Sequence, residues 1–228
     1  ETDIEVTKEL CPRCTRVKGG YYEAIVQIRS ILPFRAELKE ALIKKITSLQ
    51  DVIKQISEIE DLKEGLDIKV LNQGVAKRLA NSLAREFSGK AFASWKLAGV
   101  VSGRRFSKLT ISVRLLGLIP GDIILFKGNI ALVKGISINS VKIQLLETGT
   151  MMKVQRDDIN LTNITFLNPN EYEMVNAYLV NIEGSKALAK DLRKKRIYEV
   201  TLTRELSKGS KVKLLIYKDK AYIIDVRK

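Results

Sequence analysis

The sequence predicts an α+β chain: a two-layer β-α-β-α-β-β domain, followed by two small β-barrels, the first SH3-like and the second OB-like. Two amphipathic helical segments alternate with strands before Gly117, and short strands punctuated by glycine follow it. A further set of strands closes the chain after residue 168. We therefore divide the 228 residues into a short first segment, an α/β domain, an SH3-like barrel and an OB-like domain, at 1–20, 21–117, 118–168 and 169–228.

The predicted α/β domain opens with a strand, since apolar and polar residues alternate over residues 22–29. Pro33 opens a long helix that we expect to end near Glu60. After a second strand, Asn72 caps a second helix, which Gly89 ends. Two alternating segments, 90–101 and 106–116, form a β-hairpin. Amphipathic helices would cover one face of the sheet and leave the other open.

The barrels are predicted from short apolar runs between turns. The first barrel takes four or five strands from residues 118–168, because glycine punctuation fits a small barrel better than a helical unit. In the second, a strand at 172–182 precedes a helix at about 185–195, a strand at 197–202 and a closing hairpin. Strands interrupted by one helix in about 60 residues suggest an OB-like barrel.

Charge and composition restrict the function. Forty Lys and Arg against 26 Asp and Glu leave a net charge of +14, which points to a polyanion such as nucleic acid. Histidine is absent, which removes the commonest general base, the Ser-His-Asp and Cys-His arrangements and the commonest metal ligand. No apolar run of about 18 residues predicts a membrane span. Two cysteines build no disulfide framework and fit a reducing cytoplasm, where we place the protein.

The pair Cys11-x-x-Cys14 is the sharpest local motif. Thiolates at this spacing can bind zinc from one tight turn, but tetrahedral coordination needs four ligands. The chain has no further cysteine and no histidine, so the pair is half a site whose partners lie outside this sequence. A redox pair and two incidental surface cysteines are the alternatives; a thioredoxin-like motif would sit where a strand enters a helix, whereas this one precedes a strand.

The predicted hairpin carries the first basic patch, which contains no acidic residue. Alternation places its strand lysines and Arg114 on the open face of the sheet and its arginines near the tip, while Trp95 is expected in the core. The candidate RNA-binding residues are Lys90, Lys96, Arg104, Arg105, Lys108 and Arg114. A solvated sheet face that is merely basic is the alternative, and the net charge favours binding.

A second basic patch lies in the predicted helix of the last domain, and it is relieved only by Asp191. It comprises Lys186, Lys190, Arg193, Lys194, Lys195 and Arg196. On a helix these residues would spread around most of the circumference, so they could not all meet one row of phosphates. Complementing the helix dipole is the structural alternative to RNA contact.

Several segments, taken in order, resemble the large-ribosomal-subunit export adaptor family, named for nonsense-mediated decay protein three. They are residues 10–17 (LCPRCTRV), 22–29 (YEAIVQIR), 64–68 (EGLDI), 76–79 (AKRL), 94–97 (SWKL) and 121–122 (GD). The likeness is good over about 10–126 and thin beyond, and the absence of eukaryotic extensions suggests an archaeal member. No lysine loop matches the hypusine-modified loop of translation factor five-A, and archaea have no nucleus, so export is not expected.

The resemblance implies a ribosome-binding assembly factor. Family members carry several zinc-binding CxxC knuckles, then an α/β RNA-contacting domain, then SH3-like and OB-like barrels that occupy the tRNA exit region of the large subunit. It implies that Cys11 and Cys14 form the last knuckle, so zinc is expected in the full-length protein and not in this chain. Residues 1–20 would then be the remnant of the zinc-knuckle region, and 21–117 the RNA-contacting domain. The partners would be the large ribosomal subunit and its rRNA, with ribosomal proteins or other assembly factors besides.

The sequence therefore predicts a non-enzymatic, rRNA-binding assembly factor that occupies tRNA-site space during subunit maturation, with no membrane partner and no evident small-molecule substrate. An RNA-modifying enzyme is one alternative and would need a deep pocket with convergent carboxylates or a cofactor loop. A transcription or translation elongation factor that contacts another protein through its SH3-like barrel is the other.

Overall fold

The computed structural model describes residues 11–101 and 104–227 of the chain, without the side chains of residues 12, 13, 100, 101, 104–106 and 227. The predicted remnant at 1–20 therefore lies partly outside the described residues. The chain separates into two compact units, Glu1–Gly117 and Leu118–Lys228. Each unit is built around its own β-structure.

The first unit is a mixed five-stranded sheet with helices on one face. In chain order its elements are α1 (Pro12–Lys18), β1 (Ala24–Ser30), α2 (Ala36–Ser48), α3 (Gln50–Ile53), β2 (Ile56–Leu62), β3 (Gly65–Val70), α4 (Gln73–Glu86), β4 (Lys90–Val101) and β5 (Arg104–Leu115). The strand order is β2-β3-β1-β5-β4, with β1 parallel to β5 and the other neighbours antiparallel. The second and fourth strands therefore form its edges.

One face of this sheet is buried and the other is not. In β1, Ala24, Val26 and Ile28 are fully buried, whereas the residues between them are only half-buried. Helix α4 packs over β1, β3, β4 and β5. It begins as predicted, since Oδ1 of Asn72 accepts a hydrogen bond from the Val75 N–H at 3.1 Å. The predicted one-sided cover is thus confirmed.

The first predicted helix was too long. It ends at Ser48, a short α3 follows, and the chain then forms β2, an extra edge strand paired with β3. A register shift between Ile56 and Glu58 interrupts the alternation and brings Ile56 and Ile59 to the same face of the sheet. Apolar residues three positions apart also fit one face of a helix, which is why the sequence predicted a helix here. Gly65 follows the β2–β3 turn, and a Cβ there would lie 1.9 Å from the Ile28 carbonyl oxygen, so only glycine fits.

The second unit begins with a five-stranded antiparallel sheet. Its elements are β6 (Ile123–Phe126), β7 (Asn129–Ser137), β8 (Ser140–Leu145), β9 (Met151–Gln155), a 3-10 turn (Arg156–Asp158) and β10 (Ile164–Phe166). The order β10-β6-β7-β8-β9 places the last strand beside the first, and a 3-10 turn precedes it. This is the arrangement of an SH3-like fold, as the glycine punctuation predicted.

A closed five-stranded barrel follows. A 3-10 turn (Pro169–Glu171) leads into β11 (Tyr172–Glu183), β12 (Lys186–Asp191), β13 (Ile197–Thr201), β14 (Lys211–Tyr217) and β15 (Lys220–Arg227). The circular order β11-β12-β13-β15-β14, closed by pairing of β14 with β11, is that of an OB-like barrel. The fold class predicted for this part of the chain is therefore confirmed.

The predicted helix at 185–195 was wrong, because this segment forms β12 and a loop. Gly184 turns the chain at φ +61°, and β12 returns antiparallel to β11. Ala187, Ala189 and Asp191 are buried while the residues between them face outward, which is the two-residue period of a strand. The segment is rich in Ala, Leu, Lys and Arg, whose intrinsic preference is helical, and pairing with β11 and β13 overrides that preference.

The two barrels of the second unit share an apolar cluster. Ile123, Ile130 and Leu132 of the SH3-like sheet pack with Leu215 and Tyr222 of the OB-like barrel. At the rim, Glu147 accepts a hydrogen bond from Lys220 Nζ at 3.0 Å. These contacts join the barrels into one packed body.

Replacing Leu215 with alanine should therefore lower the free energy of unfolding of the second unit by about 2–5 kcal/mol, because Leu215 is fully buried in the shared cluster. Native-state hydrogen exchange of amides in β7 and β14 measures the change. Leu161→Ala, on an exposed position in the segment before β10, is the control and should alter stability by about 0.5 kcal/mol or less. Equal exchange in the two variants would contradict a shared cluster.

Candidate nucleic-acid interface

The candidate interface is the face of the first sheet opposite the helices, here called the open face. Alternation and register place these side chains on it: Lys90, Phe92, Ser94 and Lys96 from β4; Lys108, Thr110, Ser112 and Arg114 from β5; Ile25, Gln27 and Arg29 from β1; Asp67 and Lys69 from β3; Glu58 and Glu60 from β2. All of them are exposed or half-buried. The sequence had assigned the β4 and β5 members to this face, and the register agrees.

Like charges stand opposite one another at two places in the β4–β5 hairpin, at its base and midway along the strands. Lys96 is the register partner of Lys108, and Lys90 is that of Arg114. Like charges directly opposite across an antiparallel pair destabilise a sheet. The two pairs are six residues apart, about 20 Å along the strands at roughly 3.4 Å per residue. An extended anion lying along the strands would contact both pairs.

Tyr22, which was not among the candidate residues predicted from the sequence, positions Lys108 of the Lys96–Lys108 pair. The Lys108 ammonium lies 3.6 Å from the centroid of the Tyr22 ring, and the Lys69 ammonium lies 5.8 Å from it. Cations are attracted to the face of an aromatic ring, so the ring positions Lys108 without neutralising it. The sequence signal for this contact was an aromatic residue just before β1, the strand that pairs with basic β5.

The charge on the open face is polarised from one edge to the other. Towards β2, Arg29 contacts Asp67 at 2.8 Å and Lys69 contacts Glu58 at 2.8 Å. The hydrogen bond to Glu58 raises the pKa of Lys69 above its ordinary value. Towards β4, by contrast, the chain has no acidic residue between positions 90 and 114. The β4–β5 half of the face is accordingly the electropositive half.

Two candidate residues near the hairpin tip are described only by their backbone. Arg104 pairs with Val101, and Arg105 pairs with Val100. Their side chains, and residues 102 and 103 between the strands, lie outside the described part of the chain. Contact of these arginines with RNA therefore stays a prediction.

The edge strand β4 exposes large apolar side chains on both of its faces. Trp95, predicted to lie in the core, is 57% exposed, as is Phe92 on the open face. The register partner of Trp95 is the buried Leu109, so Trp95 does face the helical layer. The prediction was wrong because β4 is the outermost strand, and the helical layer does not bury the indole there. The Lys77 ammonium of α4 lies 5.6 Å from the centroid of the Trp95 ring. Alternation identifies a face but does not show whether another layer covers it.

The second basic patch lies on β12 and the following loop. Lys186 and Lys190 share the outward side of β12, while residues 192–196, here called the basic loop, connect β12 to β13. Buried Asp191 holds the loop: its Oδ1 accepts the Arg193 N–H at 2.6 Å, and its own N–H donates to the Arg196 carbonyl at 2.8 Å. A tight loop gathers cations that a helix would have spread around its circumference.

Some of these cations are already held by carboxylates within the barrel. Lys186 contacts Glu199 at 2.7 Å, and Lys194 contacts Glu173 at 2.5 Å. Hydrogen bonding to its carboxylate raises the pKa of each lysine, so both stay charged. Lys190, Arg193, Lys195 and Arg196 make no ion pair with any residue that the structure describes. Those four are the candidates for RNA contact in this patch.

The two cysteines face each other at the start of α1. Cys11 Sγ donates to Cys14 Sγ at 3.1 Å, and the Cys14 N–H donates to Cys11 Sγ at 3.3 Å. The donor chemistry and spacing suit one edge of a tetrahedral zinc site. Over residues 11–101 and 104–227, however, no three or more His, Cys, Asp or Glu side chains cluster for a metal. The described residues thus do not make a complete zinc site.

One surface depression of the OB-like barrel, about 280 Å³, is lined by Asn181, Glu183, Lys186, Leu188 and Glu199, among others, and its Glu199 is ion-paired with Lys186. None of the helices described here is both long and apolar enough to cross a membrane.

Comparison with known proteins gives one family match. Residues 21–115 match the family model described as NMD3, second domain. No curated protein matches the chain. Among solved structures, eukaryotic translation initiation factor 5A from Methanococcus jannaschii is similar at 13% identity and a TM-score of 0.33, over 48% of this chain and 89% of that chain. The segment that matches the family model is the open-faced sheet with its helices, so this part of the chain is similar to the second domain of the NMD3 family.

Proposed function

We propose that this chain is a non-enzymatic assembly factor that binds rRNA of the large ribosomal subunit through the open face and occupies tRNA-site space while the subunit matures. The match of residues 21–115 to the second domain of the NMD3 family supports ribosome-related partners. We place this activity in the cytoplasm, and ribosomal proteins or other assembly factors are further expected partners.

The observation that carries the proposal is the pairing of like charges across β4 and β5. Lys96 opposite Lys108 raises the energy of the sheet unless an anion lies over the pair. A phosphate backbone supplies repeated negative charges at the spacing of a polymer, which a single small anion does not. Polyphosphate binding therefore accounts for this pair on a face that also carries Lys90 and Arg114.

The second unit supplies a second basic surface and bulk. The basic loop presents Arg193, Lys195 and Arg196 from a turn that Asp191 fixes. Because the two barrels share an apolar cluster, they can fill a volume as one body, which is what occupation of a tRNA site requires. No chemical step is needed for this role, since excluding tRNA requires only shape and affinity.

Reversing two charges of the open face should weaken subunit binding. For Lys96→Glu with Lys108→Glu, we expect affinity for large ribosomal subunits to fall on the order of tenfold or more at low salt. The slope of log affinity against log salt concentration should become shallower by about 1.4–1.8, because two phosphate contacts are lost. Co-sedimentation through sucrose at several salt concentrations measures both quantities.

The matched control is Lys44→Glu with Lys63→Glu, which changes the net charge equally. Lys44 lies exposed on α2 and Lys63 in the β2–β3 turn, away from the electropositive half of the open face. The control should keep most of the affinity. Equal losses in the two double variants would mean that net charge alone attracts the subunit, and the open face would then not be the interface.

We further propose that Cys11 and Cys14 provide two of the four ligands of a structural zinc ion, the others lying outside the described residues. In the full-length protein, Cys11→Ser with Cys14→Ser should lower the zinc content by about one atom per molecule, since two ligands alone do not hold a structural ion. Release of metal to a chromogenic chelator after denaturation measures it. Zinc content equal to that of the unsubstituted protein would contradict the proposal.

A further inference from the structure

Phe92 is an exposed aromatic ring in the electropositive half of the open face. It is 57% exposed, and it lies on the outermost strand, so it can be approached from above and from the side. Burying such a ring is favourable, and leaving it in water forfeits that gain. The position thus suggests a ligand with an apolar surface.

The surroundings of Phe92 are small and polar. Its register partner is Ser112, the next residue along β4 on the same face is Ser94, and Thr110 lies diagonally across. Short side chains leave the sheet flat around the ring. A planar group can therefore lie on Phe92 without displacing a neighbour.

Cations stand at fixed distances on either side of the ring. Lys90 and Arg114 lie two residues from the Phe92–Ser112 pair, about 7 Å along the strands. Lys96 and Lys108 lie four residues from it in the other direction, about 13 Å away. A planar apolar group flanked by anions is the chemistry of a nucleotide within a chain. A single-stranded nucleic acid running along β4 and β5 would meet the ring with a base and the cations with phosphates.

We infer that Phe92 is a base-stacking platform, and that the open face binds an unpaired rRNA segment rather than a helix. This inference rests on the proposed RNA-binding function. In a duplex the bases are already stacked on one another and cannot lie on a side chain. An apolar protein partner is disfavoured, since it would have to desolvate the lysines and Arg114 that flank the ring without returning charge.

The test compares three substitutions of Phe92 in the full chain. With a fluorescein-labelled ten-nucleotide uridine oligomer, Phe92→Ala and Phe92→Leu should weaken binding roughly 5- to 150-fold, the range expected for one stacked base. Phe92→Tyr keeps the ring and should bind within about twofold of the unsubstituted protein. Affinity for a blunt RNA duplex should be the same in all four proteins. Fluorescence anisotropy at constant salt measures each affinity.

A second readout places the contact at the ring itself. Trp95 is the chain's single tryptophan and points to the other face of β4. In Phe92→Trp with Trp95→Phe, the oligomer should quench the fluorescence of the new indole strongly, whereas in the unsubstituted protein Trp95 should respond weakly. Absence of quenching at saturating oligomer would overturn the inference.

The control variant is Ile59→Ala, which removes an exposed apolar side chain from the other face of the opposite edge strand and should not alter binding. If Phe92→Ala binds the oligomer normally while Lys96→Glu with Lys108→Glu does not, base stacking is wrong and RNA binding stands. If neither binds more weakly, both proposals fail. Full affinity of Phe92→Leu for the oligomer would mean that the side chain packs against RNA without stacking on a base. Normal oligomer binding but lost subunit binding in Phe92→Ala would mean that the ring contacts a ribosomal protein. Either result overturns the inference.

Discussion

One-sided burial is the constraint on which the first unit depends. Helix α4 and its neighbours cover a single face, so every second residue of β1 and β5 is buried and every intervening one meets water. The two-residue period of a strand then decides which side chains can act on a partner. Four cations reach solvent together for this reason alone, and they stand opposite one another because the hairpin register aligns them.

The second unit obtains its basic surface by different means. There the barrel interior takes Ala187, Ala189 and Asp191, and the carboxylate of Asp191 hydrogen-bonds a loop in place of facing solvent. A buried acid thus shapes a basic loop. Lys186 and Lys194, by contrast, each form an ion pair with a glutamate of the same barrel, so their charges are compensated within the fold. Sequence alone does not distinguish cations held in this way from those facing solvent.

Period and punctuation predicted most of the fold, and the failures have physical causes. Alternation placed Lys96 and Lys108 on one face, and Asn72 identified a helix start, since both are local properties of the chain. The strand β2 was missed because its bulge gives apolar residues a spacing that also fits a helix. The strand β12 was missed because its residues favour a helix, whereas pairing with neighbouring strands makes the segment extended. Trp95 was misplaced because the limit of the helical layer depends on tertiary packing.

The seam between the barrels has a mechanical consequence. At this seam a Cβ on Gly149 would lie 2.3 Å from Cβ of Thr203, so the Thr203 side chain packs directly against the backbone of Gly149. Together with the bond from Lys220 to Glu147, this leaves little room for one barrel to swivel against the other. A rotation of the SH3-like sheet therefore carries the OB-like barrel and its basic loop with it, because no hinge lies at the seam.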